Sequence, residues 1–161
     1  MRRILETFSL AGLALMAWIT YQALNGPAPL PDHIPIHFDA AGNANGWGPP
    51  STLVLLPAVA AGIYLLITVI SLLPTSIKSA VKLTAESRER IQALTRLMMA
   101  WIKAELIGLF LFLQWFIVAG IREGSNRIPA IPPPVFLVVI FATVGWHLVA
   151  VFREIRTAHH G

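Results

Sequence analysis

The sequence predicts an all-α membrane protein that crosses the bilayer four times, with both termini in the cytoplasm. Of its 161 residues, 56% are hydrophobic and only 12% are charged, whereas soluble domains average about 25% charged residues. A soluble chain this short buries only about two thirds of the surface that it exposes when unfolded, so it could not remove so much apolar surface from water. Four apolar runs, each close to the roughly 20 residues that cross a hydrocarbon core as a helix, complete the argument.

Turn-forming residues separate the four runs. The predicted spans cover residues 4–24, 52–73, 97–121 and 135–152. A break at residues 25–27, which read Asn-Gly-Pro, closes the first span, and Pro74 ends the second. Three consecutive prolines at residues 132–134 come directly before the fourth span. We therefore expect one four-helix membrane domain over residues 1–161.

Lysine and arginine are distributed unevenly between the two sides of the predicted membrane, and cytoplasmic loops carry the excess. One side collects Arg2, Arg3, Lys78, Lys82, Arg88, Arg90, Arg96, Arg153 and Arg156. The other side collects Arg122 and Arg127, and the loop of residues 25–51 contains neither residue type. The basic loop of residues 74–96 and both termini are therefore predicted in the cytoplasm, and the loop of residues 25–51 outside.

The end of the basic loop is predicted to be helical over residues 82–96. Thr84 is a favourable N-cap residue, and Glu86 falls in the first turn, where the helix dipole stabilises a carboxylate. Two arrangements fit this segment. It is either a cytoplasmic extension of the third span or a separate surface helix that lies on anionic lipid.

Several function classes lack support in the composition and motifs. The chain has no cysteine, which excludes disulfides and thiol chemistry. Its net charge of +4 comes from basic residues that flank apolar spans, so we interpret them as topology signals and expect no nucleic-acid partner. No nucleophile elbow, Gly-rich phosphate loop or metalloprotease signature is present. We assign no catalytic residue and no cofactor, and an enzyme is the less favoured class.

The predicted outward loop carries an ordered motif that reads L-P-D-H-I-P-I-H-F-D over residues 30–39. Residues 34–38 fit a short strand, because the prolines favour extended backbone before them. Glycine and asparagine at residues 42–46 then supply turn positions. Trp47 suits an anchor at the membrane interface.

This motif resembles a known bacterial family. The pattern L-P-x-x-I-P-x-H-F-x-x-x-G-x-x-x-G-W-G, after a first membrane helix, is similar to the integral-membrane family called domain of unknown function 1648. That domain also opens longer Sdp-type immunity and signalling proteins. The resemblance implies a place in the bacterial cytoplasmic membrane. It also makes the motif residues candidates for binding, namely Pro35, His37, Phe38, Gly42, Gly46 and Trp47.

A second stretch extends the resemblance over most of the chain. Trp101-x-Lys103-x-Glu105, with Gln114-Trp115 further on, is similar to short members of the family. Members often carry a lysine soon after the Trp-Gly pair, where this chain has two prolines at residues 49–50, so no role of that lysine carries over. The family implies no established reaction.

His33 and His37 are weak candidates for a metal site, with Asp32 and Asp39 beside them. Pro35 argues against a helix that would bring the two imidazoles together. In a strand they share a face but stand about 13 Å apart along it, so joint ligation needs a turn. The alternative is that His37 packs or hydrogen-bonds within the loop while His33 is exposed.

Strongly polar side chains inside a membrane span are functional candidates, and the third and fourth predicted spans carry four Lys, Glu, Gln or His residues. They are Lys103, Glu105, Gln114 and His147. From a span start near residue 97, Lys103 lies about 9 Å deep and Glu105 about 12 Å deep, and Lys103 is predicted to reach the cytoplasmic surface by snorkelling. Glu105 and His147 fall at similar depth on neighbouring helices. A pair between them would act as a proton relay or as a polar pin.

Three functions remain open on the sequence alone. The first is a binding, signalling or immunity-type protein whose outward loop recognises a peptide, toxin or envelope component, with a cytoplasmic protein as second partner. The second is a small proton-coupled transporter, which would need to oligomerise. The third is a membrane enzyme that uses His37 and the acidic loop residues. In each case the lipid bilayer is the surrounding partner.

Overall fold

The protein is described by a computed structural model that covers residues 1–28, 30–73 and 84–160. Its helices are α1 (Arg2–Asn25), α2 (Leu55–Leu72), α3 (Ala85–Arg122) and α4 (Pro132–His160). A β-hairpin of β1 (Ile34–Phe38) and β2 (Ala44–Gly48) follows α1, and a 3₁₀ turn (Pro50–Val54) leads into α2. Residues 74–83 of the predicted basic loop, with Lys78 and Lys82, lie outside the described residues.

The described residues contain four helices that are long and apolar enough to cross a membrane, which confirms the predicted number of spans. The added feature is the two-stranded sheet. In α1 and α2 the observed bounds agree with the predicted spans to within a few residues. The fold is therefore a mostly helical multi-pass membrane architecture that carries one small hairpin.

Helix α3 is far longer than a membrane span. Its 38 residues extend about 57 Å, whereas the hydrocarbon core is about 30 Å thick. The Thr84 hydroxyl caps its start by accepting a hydrogen bond from the Ser87 backbone N–H at 3.2 Å. The predicted cap is thus confirmed, and of the two arrangements considered, the continuous extension of the third span is the one observed.

Helix α4 differs from its predicted bounds of residues 135–152. It begins at Pro132, because a proline in the first helical turn has no N–H that needs an intrahelical partner. It also continues past Phe152 to His160. This continuation runs beside the extension of α3, where Arg90 and Glu154 form an ion pair of 3.8 Å.

Helix α3 lies at the centre of the bundle and packs against α1, α2 and α4, while α4 packs chiefly on α3. Gly12 permits close approach of α1 to α3, since a Cβ there would lie 2.7 Å from the Ile107 side chain. The helix bundle has two ends, which are named here by the elements that lie at each. The hairpin end holds the hairpin and the α3–α4 loop, and the basic end holds Arg2, the start of α3 and the end of α4.

The hairpin is packed onto the bundle by its first strand. Ile34 is fully buried in an apolar cluster with Ile19 and Ala23 of α1, Leu53 of the 3₁₀ turn and Val118 of α3. The strands pair antiparallel, with shifts in register on both sides of His37. The predicted short strand at residues 34–38 is therefore present, and it is fixed in place by a partner strand and by the bundle.

Candidate functional site

The turn between the two strands is shaped by Asp39 and Gly42. One carboxylate oxygen of Asp39 accepts hydrogen bonds of 2.9 Å from the backbone N–H groups of Ala41 and Asn43. Gly42 has a φ of +80°, and a Cβ there would lie 2.1 Å from the Ile128 carbonyl oxygen. Glycine is thus required at this motif position both for backbone conformation and for close approach.

These hydrogen bonds also set the charge of the turn. The bonds from the Asn43 backbone N–H and side chain, followed by that from Ala41, lower the pKa of Asp39 below its usual 3.8, and the positive charge of Arg127 acts in the same direction. Hydrogen bonds to a carboxylate favour its ionised form. The hairpin therefore presents a fixed negative charge at neutral pH.

The hairpin is joined to the α3–α4 loop by backbone hydrogen bonds. The Ala44 N–H donates to the Asn126 carbonyl oxygen at 2.8 Å, and the Ile128 N–H donates to the Gly42 carbonyl oxygen at 2.9 Å. Asn43 and Arg127 form an antiparallel bridge between them. One isolated bridge and two backbone hydrogen bonds thus tie the loop to the hairpin, so displacement of the hairpin would pull on the segment that connects α3 to α4.

His37, the motif histidine, is exposed on β1. Its Nδ1 hydrogen-bonds to the Asn45 side-chain amide on the opposite strand. A Cβ at Gly46 would lie 2.9 Å from the His37 Cβ, so the glycine makes room for the histidine. Trp47 follows with 49% of its surface exposed. Among the motif residues Pro35 and Gly42 are buried, Phe38 and Gly46 are half-buried, and His37 and Trp47 are exposed.

Beneath the hairpin lies a cleft of about 530 Å³, here called the hairpin cleft. Its roof is the segment from Pro35 to Asp39. Its walls are apolar side chains of α2, α3 and the α3–α4 loop, including Leu56, Val59, Phe110, Leu113, Ile117 and Ile128. Three of the predicted binding residues, Pro35, His37 and Phe38, therefore line a cavity, while Gly42, Gly46 and Trp47 shape the hairpin above it.

The two loop histidines are not brought together as a ligand set. His37 is bonded to Asn45, and His33 is exposed just before β1. Among the described residues there is no group of three or more His, Cys, Asp or Glu side chains that could hold a metal ion. The arrangement agrees with the alternative in which His37 hydrogen-bonds within the loop.

Lys103 does not reach the surface, and the predicted snorkelling is wrong. Its side chain is 2% exposed, and its Nζ donates to both carboxylate oxygens of Glu6 on α1, at 2.6 and 2.7 Å. A third bond of 3.1 Å goes to the Thr68 hydroxyl on α2. The Tyr64 hydroxyl donates to Glu6 at 3.0 Å, and the ring of Tyr64 lies 4.6 Å from Nζ.

Glu6, Tyr64 and Thr68 were missed because their importance depends on which helices pack together. A signal was present for one of them, since Glu6 is the one charged residue within the first predicted span. The cluster lines a polar cavity of about 370 Å³ at the basic end, which Arg2 and Arg96 also line. Three helices are thus cross-linked near that end by a buried ion pair and hydroxyl groups.

Gln114 forms a second polar contact between helices. It is fully buried, and its Nε2 donates to the Thr20 hydroxyl of α1 at 2.9 Å. Its Oε1 has no hydrogen-bond partner among the described residues. Lys103, Ile107 and Gln114 are all buried, so they lie on the face of α3 that packs into the bundle.

Glu105 and His147 form no direct hydrogen bond in the described part of the chain, and each bonds instead to the same residue of α4. That residue is Thr143. Its hydroxyl donates to Glu105 Oε1 at 2.6 Å, and its carbonyl oxygen accepts from His147 Nδ1 at 2.8 Å. The predicted depths paired the correct helices, α3 and α4. The residue of α4 that contacts Glu105 is, however, Thr143 and not His147.

The part of the chain with the hairpin is also the part that matches a known family. The family model described as "Domain of unknown function (DUF1648)" matches residues 10–61, which run from α1 through the hairpin into α2. No curated protein and no solved structure matches the chain. The resemblance expected from the motif is confirmed over residues 10–61, and the second stretch, residues 101–115, lies outside the matched region.

Proposed function

We propose that this protein is a membrane-embedded receptor of the binding, signalling or immunity type, and that the hairpin cleft is its recognition site. One observation carries the proposal. The family motif forms an ordered hairpin whose residues Pro35 to Asp39 roof a cavity of about 530 Å³ over the membrane helices. Largely apolar cavities with a few placed polar groups are the usual form of ligand sites.

The cleft lining indicates the chemistry of the ligand. Leu56, Phe110 and Leu113 offer an apolar surface, while His37 and the ionised Asp39 lie at the hairpin. An amphipathic ligand would place an apolar segment against these apolar side chains, and a hydrogen-bond donor or a cationic group beside His37 and Asp39. A peptide, a peptide toxin or an envelope component with such a segment fits this arrangement.

We infer that the hairpin faces outward and that the basic end faces the cytoplasm of a bacterial inner membrane. The distribution of arginine supports this orientation. The described part of the basic end carries Arg2, Arg3, Arg88, Arg90, Arg96, Arg153 and Arg156, against Arg122 and Arg127 at the hairpin end. Cytoplasmic segments carry such an excess. The ligand would then arrive from the outer side.

The connections of the hairpin supply a route for signalling. A ligand that lifts the hairpin would strain the hydrogen bond from the Ala44 N–H to the α3–α4 loop and the one that the Gly42 carbonyl oxygen accepts from that loop. That loop joins the two helices whose extensions project together at the basic end, where Arg90 pairs with Glu154. A cytoplasmic protein partner would bind these extensions and sense their separation.

Photo-crosslinking in living cells tests the proposal. Benzoylphenylalanine replaces Leu56 inside the hairpin cleft or, as the control, Leu66 on the exposed surface of α2. We expect a peptide or envelope adduct at position 56 alone, and its loss with His37→Ala. The matched variant Asn45→Ala, which removes the partner of His37 but not a cleft residue, should retain it. Lipid adducts alone at both positions would contradict a recognition site.

A second candidate function is a small oligomeric proton-coupled transporter. It is favoured by one specific observation, the buried Lys103–Glu6 pair, because ionisable groups within spans mark transport pathways. Proton-driven flux in proteoliposomes that stops on Glu6→Gln would support it. Absence of flux in vesicles that hold folded protein would leave the pair a structural link between helices.

A further inference from the structure

On the face of α3 away from the hairpin cleft lies a larger groove, here called the aromatic groove. It has a volume of about 680 Å³ and runs between α1 and α4 with α3 as its floor. Its rings are Phe8, Trp101, Phe112, Trp115, Phe116 and Phe136. Because Phe8 and Trp115 are more than half exposed, the groove is open to the lipid.

One ionisable side chain, Glu105, lines this groove among otherwise apolar and aromatic residues. Its Oε1 accepts the hydrogen bond from Thr143, while its Oε2 is buried and has no partner in the described part of the chain. A buried polar atom without a partner is costly, and more so in lipid than in a soluble protein. An acyl chain would fill the groove but would offer nothing to this oxygen.

From this geometry we propose that the aromatic groove binds a hydrophobic organic cation, such as an amphiphilic ammonium or phosphonium compound. Two features of the site select for positive charge. The carboxylate form of Glu105 supplies the counter-charge, and the lining includes the rings of Trp101 and Trp115, the side-chain type that attracts cations most strongly. The site is separate from the hairpin cleft and is entered sideways from the membrane, so it does not depend on the proposed recognition of an external ligand.

The experiment compares two ions of the same shape and opposite charge. Tetraphenylphosphonium and tetraphenylborate are titrated into the purified full chain in detergent, with binding followed by calorimetry. Saturable binding of the phosphonium is expected. Replacing Glu105 with Gln should weaken it about tenfold or more, since the counter-charge is lost. Glu89→Gln, which changes an exposed carboxylate on the extension of α3, should bind as the unmodified protein does.

Equal affinity for the two ions, or full phosphonium affinity in the Glu105→Gln variant, would overturn the proposal and leave a groove that lipid fills. Should Glu105→Gln fail to fold, Trp101→Leu replaces it as the test. This change leaves the carboxyl group intact and removes a ring. It should weaken phosphonium binding severalfold, by the scale of a cation–π contact, and leave weak borate binding unchanged. Equal loss for both ions would overturn the proposal as well.

Discussion

Replacing Lys103 with Met removes one partner of a buried ion pair while keeping most of the side-chain volume. The Glu6 carboxylate would then lie between three helices, near the basic end, with only the Tyr64 hydroxyl as a hydrogen-bond donor. Removal of one partner from a buried pair costs about 3–5 kcal/mol, because the other charge remains without compensation. Since the Glu6 side chain keeps 29% exposure, we expect the lower end, about 3 kcal/mol, or roughly a hundredfold in the folding equilibrium.

The chain provides a matched control for this change. Arg90 and Glu86 form an ion pair of the same 2.6 Å length, but with side chains 60% and 74% exposed. Arg90→Met also removes the 3.8 Å contact with Glu154, and because the Arg90 side chain is largely exposed, the two pairs together should cost about 1 kcal/mol or less. The double variant Glu6→Gln/Lys103→Met removes both charges, and we expect it to regain most of the lost stability.

Reversible unfolding by dodecyl sulfate in mixed micelles, followed by circular dichroism, measures the free energies of unfolding of the unmodified protein, the three single variants Lys103→Met, Arg90→Met and Glu6→Gln, and the double variant. We expect the free energy of unfolding of Lys103→Met to be well below those of Arg90→Met and of the double variant. If Lys103→Met cost no more than Arg90→Met, or if the effects of Glu6→Gln and Lys103→Met simply added, the buried pair would not stabilise the bundle as described.

Three further predictions concern the hairpin and the second polar contact. Gly42→Ala should open the hairpin to protease, whereas Gly124→Ala, also at positive φ but with no atom near its Cβ, should cost only the roughly 1 kcal/mol of backbone strain. Because the pKa of Asp39 is lowered, its contribution to hairpin stability should be complete above pH 3.8 and be lost as pH falls through the lower folded-state value, which amide exchange at the turn would detect. Gln114→Leu should destabilise by about 0.6 kcal/mol in the same micelle assay, and Thr20→Val should add little to it, since both remove one hydrogen bond.

The sequence was sufficient for the membrane spans because apolar length is a local property. Thr84 could likewise be predicted as a cap from its own residue type and from Glu86 in the turn that follows. The second strand of the hairpin was not predicted, because its sequence Ala-Asn-Gly-Trp-Gly has little intrinsic strand propensity. It is extended because β1 and the α3–α4 loop both supply hydrogen-bond partners.

The partners of the polar residues inside the helices could not be predicted from sequence position. The depth of Lys103 and Glu105 along α3 follows from the rise per residue, but the side chain that each meets depends on how neighbouring helices are rotated. Lys103 meets Glu6, and Glu105 meets Thr143, although His147 lies one turn further along α4. Neither partner could be selected from depth alone, since several polar residues share each level.

The proposed function requires that the hairpin lie on the outer side of the membrane, and a single-cysteine experiment tests that requirement most directly. The chain contains no cysteine, so Asn45→Cys on the hairpin and Glu89→Cys at the basic end each carry one reactive thiol. With a membrane-impermeant maleimide on intact cells, we predict labelling of Asn45→Cys, and labelling of Glu89→Cys only after the membrane is opened. The reverse pattern would place the hairpin cleft in the cytoplasm and contradict recognition of an external ligand.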